Sequence, residues 1–270
     1  MSYMVQIITH NMRLLILLSF CLILACQTPP QAEKEAQLAP IGNPPAEGFN
    51  KTASDKKAIT IADQVMDAMG GRRAWDTTRI LTWNFFGRRT LTWDKQTGDV
   101  NIQIPADSLD IRLNVQDSLK GKVMIAGNDL SGNADTLAKY VAQGKSIWIN
   151  DSYWLVMPFK LKDSGVTLKY VKQDTTALGE MADILSLTFE GVGDTPENKY
   201  LVYVDTKDHL VKQWDFYRAA SDTTAMFSTP WADYERYGDI LLSANRGRAR
   251  LNNIATYQEM PDSVATRLDF

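Results

Sequence analysis

The sequence predicts a mainly β domain, an antiparallel sandwich or barrel with few helices, and three observations carry that expectation. Short apolar-alternating segments recur from residue 78 to residue 257, punctuated by turn chemistry at Asp194-Thr195-Pro196, Thr206-Lys207-Asp208 and Arg246-Gly247. Helical periodicity is confined to two stretches. All seven Trp fall at or after Trp75, several of them in strand-like segments.

The elements follow in order. Lys57 to Met69 places Ile61, Val65, Ala68 and Met69 at helical spacing, and Gly70-Gly71 ends that helix as a C-cap would. A short turn, Arg72 to Trp75, follows. Strands are expected at Thr78–Phe86, Thr90–Asp94, Val100–Ile104, Ile111–Val115 and Lys122–Ile125. The spacing predicts a mid-chain helix over Asp135–Asp151, from Leu137, Tyr140, Val141, Gly144 and Trp148, although Ile147 and Ile149 also allow a strand and Gly144 weakens a helix. Tyr153 to Phe159 is apolar on both faces and stops at Pro158. The remaining strands are Val166–Val171, Ile184–Phe189, Tyr200–Asp205, Leu210–Arg218, Thr224–Tyr234 and Ala249–Tyr257, about ten or eleven in all.

Several strands carry bulk on both faces: Tyr200, Val202 and Val204 against Leu201 and Tyr203, and Trp214 and Phe216 against Val211 and Tyr217. A half-solvated sheet shows a cleaner polar face, so each side of these strands must be covered. The helices are one expected cover; the other is either a second sheet or a curved interior able to hold an apolar ligand.

The N-terminal region reads as an address. Met12-Arg13 opens a signal-like unit, Leu14 to Leu24 is its apolar core, and Ala25 precedes Cys26. That core is shorter than the roughly 20 residues a membrane-spanning helix needs. The run Leu22-Ile23-Leu24-Ala25-Cys26 resembles the lipobox of bacterial lipoproteins, which implies a signal peptide over residues 1–25 and acylation of Cys26. Residues 1–11 hold no Lys or Arg, so translation is expected to start at Met12. Acyl chains on Cys26 would give lasting membrane attachment. Gln27 in place of Asp after the Cys resembles the outer-membrane sorting signal. Residues 26–55, with Pro29, Pro30, Pro40, Pro44 and Pro45 among Gln, Ala, Glu and Lys, are expected to be a disordered tether, leaving 56–270 as one β-domain.

Composition excludes several chemistries. The chain's two cysteines are Cys21 and Cys26, so the expected mature domain has no thiol for a disulfide, metal site or nucleophile. Net charge is −3 with no dense basic stripe, which argues against a nucleic-acid partner. His209, in the turn Lys207-Asp208-His209, cannot build a zinc site alone, so no metal is expected. Asp94, Asp99, Asp151, Asp205, Asp215 and Asp239 could pair for glycoside hydrolysis, but most sit where Asp serves turns. Neither a nucleophile elbow nor a phosphate-cradling glycine loop is present, so no catalytic residue and no cofactor are assigned. Arg88-Arg89 and Arg246, Arg248 and Arg250 read as solvated strand faces or as a rim for lipid headgroups.

Three stretches carry a family resemblance. Ile61 to Trp75 (IADQVMDAMGGRRAW) and Ile149 to Leu161 (INDSYWLVMPFKL) resemble envelope proteins of the outer-membrane lipoprotein-sorting, LolA/LolB-like, superfamily. Asp194 to Asp205 is similar to an uncharacterised lipoprotein branch of Bacteroidetes type. The resemblance implies an unclosed antiparallel β-barrel wrapped around the N-terminal and mid-chain helices, with an apolar cavity for acyl chains. It transfers no individual binding residue. On the residues themselves, Trp83, Phe85, Trp93, Trp154, Tyr203, Trp214 and Phe216 are the candidate cavity lining for a lipid or lipoprotein ligand, or else plain core. The rival reading is an envelope recognition module that binds glycan or a partner protein through surface aromatics.

Overall fold

In the computed structural model, which describes residues 42–270, the chain first crosses the edge of a sheet and then enters helix α1 (Lys56–Ala68). The signal, Cys26 and most of the expected tether lie outside the described residues. The tether boundary needs correction, because residues 42–55 are placed against the domain. Ala46 N–H donates to the Lys162 carbonyl (2.9 Å), Asn50 N–H to Val166 (3.0 Å) and Asp55 N–H to Leu168 (2.9 Å). Phe49 is buried beneath them. These bonds cover part of an otherwise open strand edge, the usual remedy for exposed edges.

Helix α1 buries Ala58, Ile61, Ala62, Val65 and Met66 on one stripe, as its period predicts. Gly70, at φ 114°, turns the chain where an added Cβ would lie 2.3 Å from the Asp239 carbonyl. A short helix α2 (Gly71–Thr77) stacks Trp75 on Phe159 with centroids 4.4 Å apart.

Strands β1 (Ile80–Phe85), β2 (Arg89–Asp94), β3 (Asp99–Ile104), β4 (Leu109–Asn114), β5 (Gly121–Ile125) and β6 (Asn128–Asp129) form an antiparallel meander. Then comes the mid-chain helix, α3 (Ala134–Val156), extended by a 3-10 turn Met157–Lys160. A second meander follows: β7 (Val166–Thr175), β8 (Met181–Phe189), β9 (Lys199–Asp205), β10 (Val211–Tyr217) and β11 (Phe227–Pro230). The chain then makes the hairpin β12 (Ala232–Tyr237)–β13 (Ile240–Asn245), and β14 (Leu251–Tyr257) returns to pair with β1. Helix α4 (Asp262–Leu268) packs over β2 and β3.

The result is a seven-stranded sheet ordered β14-β1-β2-β3-β4-β5-β6 and a five-stranded sheet ordered β11-β10-β9-β8-β7, with the β12-β13 hairpin between them. Trp231 N–H bonds the Lys212 carbonyl beside β10 (2.7 Å), and an isolated bridge between Asn245 and Arg250 leads into β14. Among the described residues nothing pairs β6 with β7, so the barrel stays open there. This is the expected mainly β architecture around two helices.

The strand number is higher than expected, with 14 strands among the described residues. Thr224–Tyr234 is two strands parted at Trp231, because Pro230 cannot donate to a ladder and the chain changes sheet there. Ile240–Asn245 and the two-residue β6 were not anticipated, nor was α4. Helix α3 runs five residues past Asp151, through Ser152–Val156, because apolar bulk on every side suits a helix enclosed by protein as well as a strand. Gly144 permits its closest approach to the sheet: an added Cβ would meet Ile111 Cγ2 and Leu113 Cδ2, each at 3.0 Å.

Candidate functional site: an aromatic cavity between α3 and the five-stranded sheet

Helix α3 has two working faces. One packs Val141 and Gly144 on β3–β5, while the other looks toward the inner face of the five-stranded sheet. Between that second face and the sheet lies a cavity of about 890 Å³, within the usual size range for small-ligand sites. Trp148, Tyr153 and Trp154 line it from the helix, and Phe189, Tyr200, Trp214, Phe216 and Phe227 line it from the sheet. The loop 192–198 and the stretch Asp163-Ser164 complete the wall.

Rings contact one another around this wall. Trp154 meets Trp214 edge-on at 4.8 Å, and Tyr153 lies 5.6 Å from Tyr200 and 5.9 Å from Trp214. Phe216 stacks on Phe227 at 5.0 Å, and Phe227 is 38% exposed, so the aromatic surface reaches solvent. Planar rings meeting at an angle do not interdigitate as branched aliphatics do, which leaves room here.

The structure brings Trp154, Trp214 and Phe216 to the wall, out of the seven residues expected there. The other four are placed differently. Trp83 is fully buried and Phe85 nearly so, both within the main core. Trp93 lies behind the wall, meeting Trp148 edge-on at 5.3 Å. Tyr203 points to the opposite face of its sheet, where its hydroxyl donates to Asp215 Oδ2 (2.7 Å). Strand alternation is the reason: Tyr203 sits beside Tyr200's neighbours, and Asp215 lies between Trp214 and Phe216. Trp148, Tyr153, Phe189, Tyr200 and Phe227 were missed, since a ring facing a cavity and a ring filling a core have the same sequence signature.

Two arginines hold α3 in place. Arg89 on β2 grips Asp151 with both nitrogens, Nε to Oδ2 at 2.5 Å and Nη2 to Oδ1 at 2.6 Å. Asp151 is wholly buried, and burial raises its carboxyl above the ordinary range while Arg89 and Asn150 oppose that shift. Arg246, expected on a solvated face, is also buried: it donates to the Trp154 carbonyl (2.7 Å) in the last turn of α3 and to Ser243 Oγ (2.8 Å), above the Trp231 ring at 3.6 Å. It thereby satisfies a helix C-terminal carbonyl that has no partner within the helix. Burial pushes its guanidinium down, yet it stays charged at neutral pH.

The tyrosines of the wall stay protonated and neutral. Burial raises the Tyr153 hydroxyl well above its usual range and pushes Tyr200 up to about 12. Lys160 is paired with Asp163, and the Ser146 hydroxyl donates to Asp194 across the loop. Besides Asp151, the other aspartates that could pair for acid–base work have structural partners: Asp94 has Arg79 (2.8 Å), Asp99 has Lys120 (2.7 Å), Asp215 has Tyr203 and Gln213, Asp205 has the backbone of its own turn, and Asp239 accepts from Gln258 Nε2 (2.7 Å). Among the described residues no group of three or more His, Cys, Asp or Glu is placed to hold a metal. No described helix is long and apolar enough to cross a membrane.

The chain is thus an open antiparallel β-barrel folded around helices, with an aromatic cavity between helix and sheet. No protein-family model matches it, and no curated protein does. Solved structures with a similar fold include a DUF1329-family protein from Desulfovibrio piger, at 13% identity over 78% of this chain and 99% of that one, with a TM-score of 0.41. A putative outer membrane lipoprotein-sorting protein domain from Vibrio parahaemolyticus is 8% identical over 77% of this chain and 96% of its own, with a TM-score of 0.41. A LolA-superfamily protein from Nitrosomonas europaea is 9% identical over 75% and 96%, with a TM-score of 0.37.

Proposed function

We propose that this chain is a lipid-anchored protein of the cell envelope that binds an apolar ligand, a lipid or the acyl chains of a lipoprotein, in the cavity between α3 and the five-stranded sheet. The cavity is the observation that carries the reading: about 890 Å³ of space with eight aromatic rings in its wall, and α3 held in place by Arg89 and the buried Arg246. Apolar surface in a cavity of that size is unfavourable to leave facing water and favourable to cover with hydrocarbon. The anchor is acylated Cys26, which would hold the domain within reach of membrane lipid, most simply at the outer membrane. The role is binding or transfer rather than catalysis.

Surface aromatics give the rival recognition reading little support. The exposed aromatic residues among those described are Phe227, Tyr257 and Phe270, each 37–38% accessible, and they lie on separate elements.

Ligand and anchor are tested separately. Native mass spectrometry of the protein purified from membranes should show bound lipid, and the protein should take up a fluorescent fatty acyl ester. A lipid-free protein with no uptake would sink the cavity reading. The Cys26→Ser variant should leave the membrane fraction and fail to incorporate a labelled fatty acid, and unchanged fractionation would remove the anchor.

A further inference from the structure

Resting on the cavity reading above, the arrangement of charge around the cavity points to a selectivity. We infer that it accepts uncharged apolar ligands, such as esterified acyl chains, and discriminates against amphiphiles with an ionised carboxylate or phosphate.

Four ionisable side chains of Lys, Arg, Asp or Glu border the cavity: Arg89, Lys160, Asp163 and Asp194. Both cations already have a carboxylate partner. Arg89 spends two nitrogens on Asp151, which is completely buried and would be stranded without its partner. Removing one member of such a pair leaves an uncompensated buried charge, so a ligand anion cannot easily recruit it. Lys160 is taken by Asp163. Asp194, by contrast, is held by the uncharged Ser146 hydroxyl. The two cations therefore face three carboxylates, counting Asp151, and the site carries a net negative charge. The tyrosines of the wall add no positive charge, and no histidine lines it. An anionic head entering this space would lose its hydration and meet a carboxylate, whereas an ester oxygen or a plain hydrocarbon meets no such penalty.

The test is competition on the full chain at pH 8 and low salt, against a bound neutral fluorescent probe, N-phenyl-1-naphthylamine. Methyl palmitate is expected to displace the probe at a concentration at least ten-fold lower than palmitate or hexadecyl phosphate. Asp194→Asn, on an exposed loop, should narrow that gap by strengthening competition by the two anions. If palmitate competes as well as its methyl ester, the selectivity is overturned while the cavity reading stands. A gap that Asp194→Asn leaves unchanged overturns the part assigned to Asp194. Failure of the probe to bind at all overturns the cavity reading itself, and the selectivity with it.

Discussion

The two faces of α3 solve different problems with the same helix. Toward the seven-stranded sheet, Gly144 lets the backbone settle against Ile111 and Leu113, and aliphatic side chains from Val100, Ile102 and Val123 are fully buried around them. Toward the five-stranded sheet, Trp148, Tyr153 and Trp154 stand off against other rings and enclose a cavity. Branched aliphatics interdigitate to crystal-like density, and a removed methyl group there is felt at once. Large rings span a gap by edge contacts and leave space beside them. The cavity therefore depends on ring shape and on the rigidity of the filled half behind it.

The largest way to break this contrast is to cut the tie that clamps α3 between its two partners. Arg89→Leu should destabilise the domain by about 3–5 kcal/mol, because Asp151 is left buried and unpaired. Chemical denaturation would measure it, and Arg89→Leu with Asp151→Leu should recover much of the loss. If the single variant cost under about 1 kcal/mol, the clamp would be incidental. Next comes Leu113→Ala on the filled face, with an expected loss of about 2–5 kcal/mol by the same assay. Gly144→Ala should cost about 1–2 kcal/mol, since overpacking against Ile111 and Leu113 outweighs alanine's better helix propensity.

Smallest in stability is Phe227→Ala at the mouth of the cavity, expected under about 1 kcal/mol because the ring is already partly exposed. Its signature should instead be weaker uptake of the acyl probe, which fluorescence titration reads directly. A large stability loss with unchanged uptake would show that Phe227 is core.

The two halves should also differ with pH. On the filled half, burial pushes the Lys95 ammonium down to about 7, with the Asp76 carboxylate opposing the shift and the cations Arg72 and Lys160 adding to it. The unfolded chain keeps that proton up to the ordinary value of 10.5, so between about pH 7 and 9 it binds more protons than the native state, and stability rises with pH. Lys95→Met should abolish that rise in melting experiments. On the cavity half the sign reverses: Tyr153 and Tyr200 hold their protons in the folded state, so their contribution is lost above about pH 10, where unfolded tyrosines ionise.

Much of the fold was legible locally. Helix α1 was readable from Ile61, Val65 and Met69 and from the Gly70-Gly71 stop, because period and cap chemistry act within a few residues. Apart from the two-residue β6, the strands of both meanders were readable within a few residues for the same reason. Harder to see was β13, whose Ile240-Leu241-Leu242 run is too short to separate from a turn-bound apolar segment. The site was only partly legible. Trp154, Trp214 and Phe216 stood out as aromatic bulk, but so did Trp83, which fills the core.

Local chemistry, then, determined the element types, the crowded two-faced strands and the Cys26-bearing signal-like start, since each depends on neighbours in sequence. Which rings close a core and which border open space was decided by the tertiary structure alone. The pairing of Arg89 with Asp151, 62 residues apart, and of Arg246 with the end of α3 fixes the helix between the sheets, and no local pattern encodes a distance across a barrel.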